Sequence, residues 1–167
     1  MEEKKDLESI YRYYFNDIYQ YLFYLSRHPQ IAEDLTQETF YRAYLYLESY
    51  KGEKVKPWLL RVAKNAFIDW YRKEKRHVSL EPTVLESIPN KEQRGPEEVY
   101  LLAEKIEGWV ERVKDLPPKQ QQVLLLCDYY DFTYQEIADV LHLTLADVKT
   151  SLFRGRKKVK ELMEGGD

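Results

Sequence analysis

Apolar residues recur every three or four positions along most of the chain and strand-like alternation is nowhere sustained, so the pattern predicts an all-α protein. From Asp6 to Arg27 the stripe Leu7, Ile10, Tyr14, Ile18, Tyr21, Leu22 and Leu25 predicts a first helix, stopped by His28-Pro29. A second is predicted over Ile31–Tyr50, with Gly52 breaking the pattern beyond it. Pro57 suits the first turn of a third, in which Trp58, Leu59, Val62, Ala63, Phe67 and Ile68 keep helical spacing up to Arg76. Over Val99–Lys114, Leu102, Ile106, Trp109, Val110 and Val113 fall on one side. Leu116-Pro117-Pro118 then reads as a hinge into a further helix, Lys119–Tyr130.

Between His77 and Glu98 the residues Pro82, Pro89, Gly95 and Pro96 stand among polar and acidic neighbours, with no stripe long enough for a packed helix. The expected organisation is two small helical domains, residues 1–76 and 99–167, joined by a flexible linker over 77–98.

The segment Thr133–Lys160 carries two short amphipathic helices with a tight turn between them. Tyr134, Ile137, Ala138 and Leu141 share the inward side of the first, while Gln135, Glu136 and Asp139 lie between them. His142-Leu143 supplies the turn, Thr144 is a good N-cap, and Val148, Leu152, Gly155 and Val159 form the inward stripe of the second helix. Lys149, Thr150, Phe153, Arg154, Arg156 and Lys157 project from the opposite face, which supplies the phosphate-pairing and base-edge donors of a recognition helix in a major groove. An exposed Phe among cations suits thymine methyls or sugars.

Charge refines this picture. The formal net charge is −3, which does not suit a protein that coats nucleic acid indiscriminately. It is unevenly spread, however: Lys51–Arg76 holds nine Lys or Arg against three Asp or Glu, and Lys149–Lys160 holds six basic residues and no acidic one. Two basic stripes on an acidic body point to directed contacts. In the first stripe Trp58, Phe67, Trp70 and Tyr71 are interleaved with Arg61, Lys64, Arg72, Lys73, Lys75 and Arg76. Cations can track phosphates and aromatic faces can receive unstacked bases, as single-stranded nucleic acid requires. The same residues also fit a helix with an aromatic core side and a solvated basic side.

No apolar run approaches the roughly 18 residues of a membrane span, and MEEKKDLESIY shows neither the apolar region of a signal peptide nor a lipidation motif. The expectation is a soluble, cytoplasmic protein. The single cysteine, Cys127, follows the run Val123-Leu124-Leu125-Leu126, which suggests a buried helix position. His28, His77 and His142 are scattered without metal-ligand spacing, and there is no Gly-rich phosphate loop or nucleophile elbow. No metal, cofactor or catalytic residue is expected.

Three groups of residues, in order, resemble one family. Ala32-Glu33-Asp34-Leu35-Thr36-Gln37-Glu38-Thr39-Phe40, followed by Trp58-Leu59 and Ala63-Lys64-Asn65-Ala66-Phe67-Ile68-Asp69, resembles region 2 of bacterial sigma factors, and Thr133–Lys158 resembles region 4. The chain resembles an extracytoplasmic-function (ECF) sigma factor, the minimal two-domain type of the sigma-70 family, with wording nearest the SigM-like and SigY-like group of Gram-positive bacteria.

The resemblance implies a non-catalytic initiation subunit of RNA polymerase. It places Asp34, Gln37, Glu38 and Arg42 at the docking site for the β′ clamp helices of core polymerase, with the β flap as a further contact. It matches Asn65–Asp69 to a short loop that captures a flipped −10 base of the nontemplate strand. Ala66 and Phe67 belong to that loop, Trp58 joins the same −10 set, and Arg61, Lys64, Arg72, Lys73 and Arg76 are available for the strand's backbone. It puts Lys149, Thr150, Phe153 and Arg154 at positions reading the −35 duplex, with Arg156 and Lys157 on phosphate. An anti-sigma factor, often membrane-anchored, is implied as a partner that would hold the protein in the resting cell. The chain departs from many relatives in carrying His142 where they have Gly, and Ala146-Asp147 where they have Gly-Thr. The competing function class is a stand-alone helix-turn-helix regulator, binding operator DNA without polymerase.

Overall fold

The computed structural model describes residues 2–78 and 97–165, and every regular element among them is helical. The α-helices are α1 (Glu2–Ser26), α2 (Pro29–Leu45), α3 (Val55–Val78), α4 (Glu97–Val110), α5 (Pro118–Leu124), α6 (Tyr134–Leu141) and α7 (Leu145–Gly165). The linker predicted over 77–98 falls almost wholly outside the described residues, as do the side chains of Leu7 and Arg76. The chain divides into two compact units, Met1–Glu104 and Lys105–Asp167.

In the first unit α1, α2 and α3 pack on one another. Ile18, Tyr21 and Leu22 of the predicted stripe are buried together with Leu35, Ala43, Leu59, Leu60 and Ala63. The break at His28-Pro29 has a local cause: His28 is extended and its Nδ1 accepts a hydrogen bond from the Ile31 N–H at 3.3 Å, so it caps the helix that Pro29 opens. Thr36 and Thr39, both fully buried, donate to the carbonyls of Ala32 and Leu35 one turn back.

Two boundaries differ from expectation. The second helix ends at Leu45 rather than Tyr50, and Leu47–Ser49 tightens into a 3₁₀ turn whose Leu47 continues the apolar spacing without continuing the helix. The helix entering the second unit likewise ends at Val110, with Glu111–Val113 as a 3₁₀ turn.

The core of the second unit joins Ile106, Val110 and Val113 to Val123–Leu126, Ile137, Val140, Val148 and Leu152. Helix α5 passes at Leu125–Tyr129 into a π turn, marked by the Tyr130 N–H donating to the Leu125 carbonyl at 3.2 Å. Cys127 lies in that turn half-buried, not within the core, because the wider turn rotates it out of phase with Leu124–Leu126. Gly155 is a close approach: a Cβ there would stand 2.9 Å from Leu124 Cδ1, so any larger residue would make the buried Leu124 side chain shift.

Candidate nucleic-acid and polymerase interfaces

In the second unit the helix-turn-helix is fixed by its ends. Thr133 and Glu136 form a reciprocal capping box: the Glu136 N–H donates to Thr133 Oγ1 at 3.2 Å and the Thr133 N–H donates to Glu136 Oε1 at 2.8 Å. His142 takes the left-handed conformation (φ 56°) that closes α6, so the turn is made without a glycine. The Asp147 N–H then donates to Thr144 Oγ1 at 3.1 Å, confirming the predicted N-cap of α7. Asp147, at the third helical position, places its carboxylate in the first turn, where the helix dipole favours it.

Helix α7 buries Val148, Ser151, Leu152 and Gly155 and presents Lys149, Thr150, Phe153, Arg154, Arg156 and Lys157 outward. Phe153 is 70% exposed, a large cost for an aromatic ring unless it meets a partner. Lys149, Phe153, Arg156 and Lys157 converge with Tyr134 and Lys160 on one shallow cleft of ≈ 450 Å³. Thr150 and Arg154 are exposed on α7 outside its lining. Tyr134, predicted to face inward, is instead 39% exposed, because it is the first residue of α6 and projects past the core; Val140 fills the inward side in its place. Arg156 is engaged: its Nη2 donates to Asp128 Oδ1 at 2.8 Å and to Cys127 Sγ at 3.4 Å.

In the first unit α3 is one unbroken helix from Val55 to Val78, so Asn65–Asp69 is not a loop. Its backbone is spent on helical hydrogen bonds. Trp58 and Ala66, expected at the strand-binding surface, are 7% and 1% exposed. Trp58 faces the core and packs against Tyr50, with ring centroids 5.1 Å apart. The exposed aromatic edge lies further along: Phe67 stacks on Tyr71 at 5.9 Å, Trp70 sits 5.9 Å from Phe67, and the Lys75 ammonium lies over the Tyr71 ring. Asn65, Arg72 and Lys73 are exposed, and Arg61 and Lys64 are half-buried; burial lowers the pKa of Lys64 below the usual lysine value.

The non-helical stretch nearest this surface is 50–54, which sequence reasoning passed over. Gly52 adopts φ 84°, the Lys51 N–H donates to Glu53 Oε1 at 2.7 Å, Tyr50 Oη donates to the Glu53 carbonyl, and Arg61 on α3 reaches Glu53 at 3.7 Å. The loop is thereby held against α3. Gly52 followed by the charged Glu53 and Lys54 was the available signal.

On α2, Asp34 accepts from Gln30 Nε2 at 3.0 Å, and Gln37 Nε2 donates to Tyr11 Oη at 2.7 Å. Arg42 donates to Glu38 on its own helix at 3.1 Å and to Asp69 on α3 at 2.8 Å. Its pKa ends above the ordinary value: burial alone would lower it, and the bonds to Asp69 and Glu38 outweigh burial. Asp34, Glu38 and Arg42 share a cleft of ≈ 310 Å³ with Ala66, Asp69, Trp70 and Lys73. Residues expected on two interfaces thus meet in one place, while Gln37 stands outside that lining. Among the described residues no group of His, Cys, Asp and Glu could hold a metal ion, and no helix is long and apolar enough to cross a membrane.

Known proteins share this arrangement. Residues 10–77 match Sigma-70 region 2 and residues 109–159 match Sigma-70, region 4. The chain is 35% identical over 160 residues to the ECF RNA polymerase sigma factor SigM of Bacillus subtilis (strain 168), covering 96% of each. It is 32% identical over 164 residues to the RNA polymerase sigma factor YlaC of the same organism, covering 98% of this chain and 95% of YlaC. Its fold is similar to that of the sigma factor RpoE from Bartonella quintana, solved in complex with the anti-sigma factor NepR (TM-score 0.70, 21% identity, 96% of this chain and 98% of RpoE). It is also similar to CnrH in complex with the cytosolic domain of CnrY (TM-score 0.64, 18% identity, 98% and 91%). Both sigma regions, in order and over nearly the whole length, place this chain in the sigma-70 family, as a member of its extracytoplasmic-function branch.

Proposed function

We propose that this ECF sigma factor binds core RNA polymerase and directs initiation at its own set of promoters, working as a non-catalytic subunit in the cytoplasm. The observation that carries the reading is the row of Lys149, Phe153, Arg156 and Lys157 along one side of a helix locked at both its turn and its N-cap, in a chain that also has the region 2 helices. A rigid helix with cations flanking an exposed ring fits a major groove, where Lys149, Thr150, Phe153 and Arg154 read −35 bases and Arg156 and Lys157 hold phosphate. Tyr134 Oη and Lys160 extend the phosphate set, since both line the same cleft.

Region 2, taken as residues 1–76, docks on the β′ clamp helices through Asp34, Gln37 and Glu38, with Arg42 bracing the cleft from below. The melted −10 strand runs along Phe67, Tyr71 and the cations Lys64, Arg72 and Lys73. Capture of a flipped base costs a few kcal/mol and needs a concave site with polar edges. The 50–54 loop folded against Arg61, with Asn65 one turn further along α3, supplies such edges. Residues 77–98 connect this region to region 4, residues 99–167, which also meets the β flap. An anti-sigma factor is the proposed regulator, as RpoE is solved in complex with the anti-sigma factor NepR.

The test is run-off transcription by purified core polymerase on fragmented DNA of the source genome, with and without this chain. Discrete, chain-dependent transcripts are expected. Silence, with tight duplex binding in the absence of polymerase, would instead show the stand-alone regulator.

A further inference from the structure

We propose that Asp128 is a positioning residue that restrains DNA binding by the free chain, holding Arg156 away from phosphate. The inference rests on the reading of Arg156 as a phosphate contact. Arg156 occupies a divide on α7. On one side it lines the basic cleft with Lys149, Phe153 and Lys157; on the other it lines a larger apolar groove of ≈ 1030 Å³ with Trp109, Val113, Leu124 and Met163. Asp128 lines only the second. The Arg156 guanidinium donates to Asp128 at 2.8 Å, which draws it toward that groove, and to Cys127 at 3.4 Å.

The carboxylate reaches Arg156 because of the π turn. Leu125–Tyr129 winds with one extra residue per turn, and this rotates Cys127 and Asp128 out from the buried run Val123–Leu126 and toward α7. In the free chain one of the cations facing the basic cleft is therefore neutralised by a partner that belongs to another surface. The pair is half-exposed on both sides, at 51% and 41%. Pairs so exposed are weak and screened by salt, so phosphate can exchange for Asp128 at small cost once DNA is held nearby. A weak, exchangeable pair restrains binding when DNA is dilute and yields when polymerase raises its local concentration.

The test uses the full chain and a labelled DNA duplex of about 20 base pairs of arbitrary sequence, since phosphate contacts do not depend on sequence. Affinity is measured by fluorescence anisotropy from about 50 to about 200 mM salt. Asp128→Asn, which keeps the shape of the side chain, should tighten binding about threefold and leave the salt slope within about 0.9 of the parent's, because Arg156 reaches the same phosphate in both complexes. Asp128→Ser should do the same if Asn perturbs folding. Arg156→Ala should weaken binding and flatten the slope, and the double variant D128N/R156A should match R156A alone. Equal tightening by D128N with and without Arg156 would reduce the effect to the loss of a negative charge and overturn the proposal. Weaker binding by D128N would overturn it by making Asp128 a support for the contact. No change in R156A would instead remove the reading of Arg156 as a phosphate contact.

Discussion

Arg42→Ala should cost stability in the first unit, and the structure sets the amount. The guanidinium bridges α2 and α3 through Asp69 at 2.8 Å and is steadied by Glu38 at 3.1 Å, with its own side chain only 21% exposed. Both carboxylates are more than a third exposed, so the Asp69 bridge is worth about 1 kcal/mol and the Glu38 pair about 0.3–0.5 kcal/mol, below the range of buried pairs. Losing the buried methylenes of the stem adds about 1 kcal/mol, for a total of about 2 kcal/mol.

Urea unfolding followed by tryptophan fluorescence measures this if Trp109 is first replaced by Phe in every variant, because Trp58 and Trp70 then report the first unit alone. R42A and D69A should be non-additive, with a coupling of about 0.5–1 kcal/mol. Gln37→Ala, at an exposed position, should cost under about 0.5 kcal/mol while weakening capture of core polymerase. If R42A unfolds like the parent chain, or R42A and D69A simply add, Arg42 is not a brace between the two helices and its placement beneath the docking cleft is wrong.

Burial depresses the Lys64 pKa, so the folded chain binds that proton less tightly than the unfolded one; stability then rises as pH climbs through the folded pKa toward the unfolded one, and below that window a constant penalty remains. Lys64→Met should therefore raise the melting midpoint at about pH 7 and lose most of that advantage near pH 10, and a midpoint that does not rise at neutral pH counts against the assignment. Gly155→Val must push against Leu124, which is itself buried, so overpacking of about 1–3 kcal/mol should exceed the helix-propensity gain of about 0.5 kcal/mol and lower the second unit's calorimetric midpoint. Burial and then Asp128 raise the Cys127 thiol pKa, so Ellman's reagent should react more slowly with the folded chain than with the chain in urea. Equal rates would place the thiol in open solvent.

Helix positions were legible wherever a cap or breaker sat at the end of an apolar stripe, as at His28-Pro29, Thr133 and Thr144. They blurred where apolar spacing outlasts the helix, as from Tyr46 to Tyr50, since a 3₁₀ turn places Leu47 inward as readily as another α turn would. The stretch Asn65–Asp69 is instructive. Periodicity through Phe67 and Ile68 predicts helix to Arg76, whereas family resemblance put a loop in the same place; the structure follows the periodicity. Pairings such as Arg42–Asp69 and Arg156–Asp128 join residues 27 and 28 positions apart, and neither periodicity nor charge counts reveal such partners.

Those pairings bear on how an acidic protein can be given over to nucleic acid. Counted along the sequence, Lys51–Arg76 and Lys149–Lys160 are strongly basic. In the folded chain Arg61 faces Glu53 at 3.7 Å and Arg156 faces Asp128 at 2.8 Å, so part of each stripe is already answered by a carboxylate. Counterion release rewards only cations that reach phosphate, and those held by carboxylates must first change partner. If these cations contact phosphate as proposed, free affinity for DNA should be lower than the charge count implies. Exposed pairs of this kind are worth about 0–1 kcal/mol each, little enough for phosphate to displace them once DNA is concentrated beside the chain. A polymerase holding both would supply that concentration, and the same weak pairs would then discriminate between DNA met alone and DNA met on the enzyme.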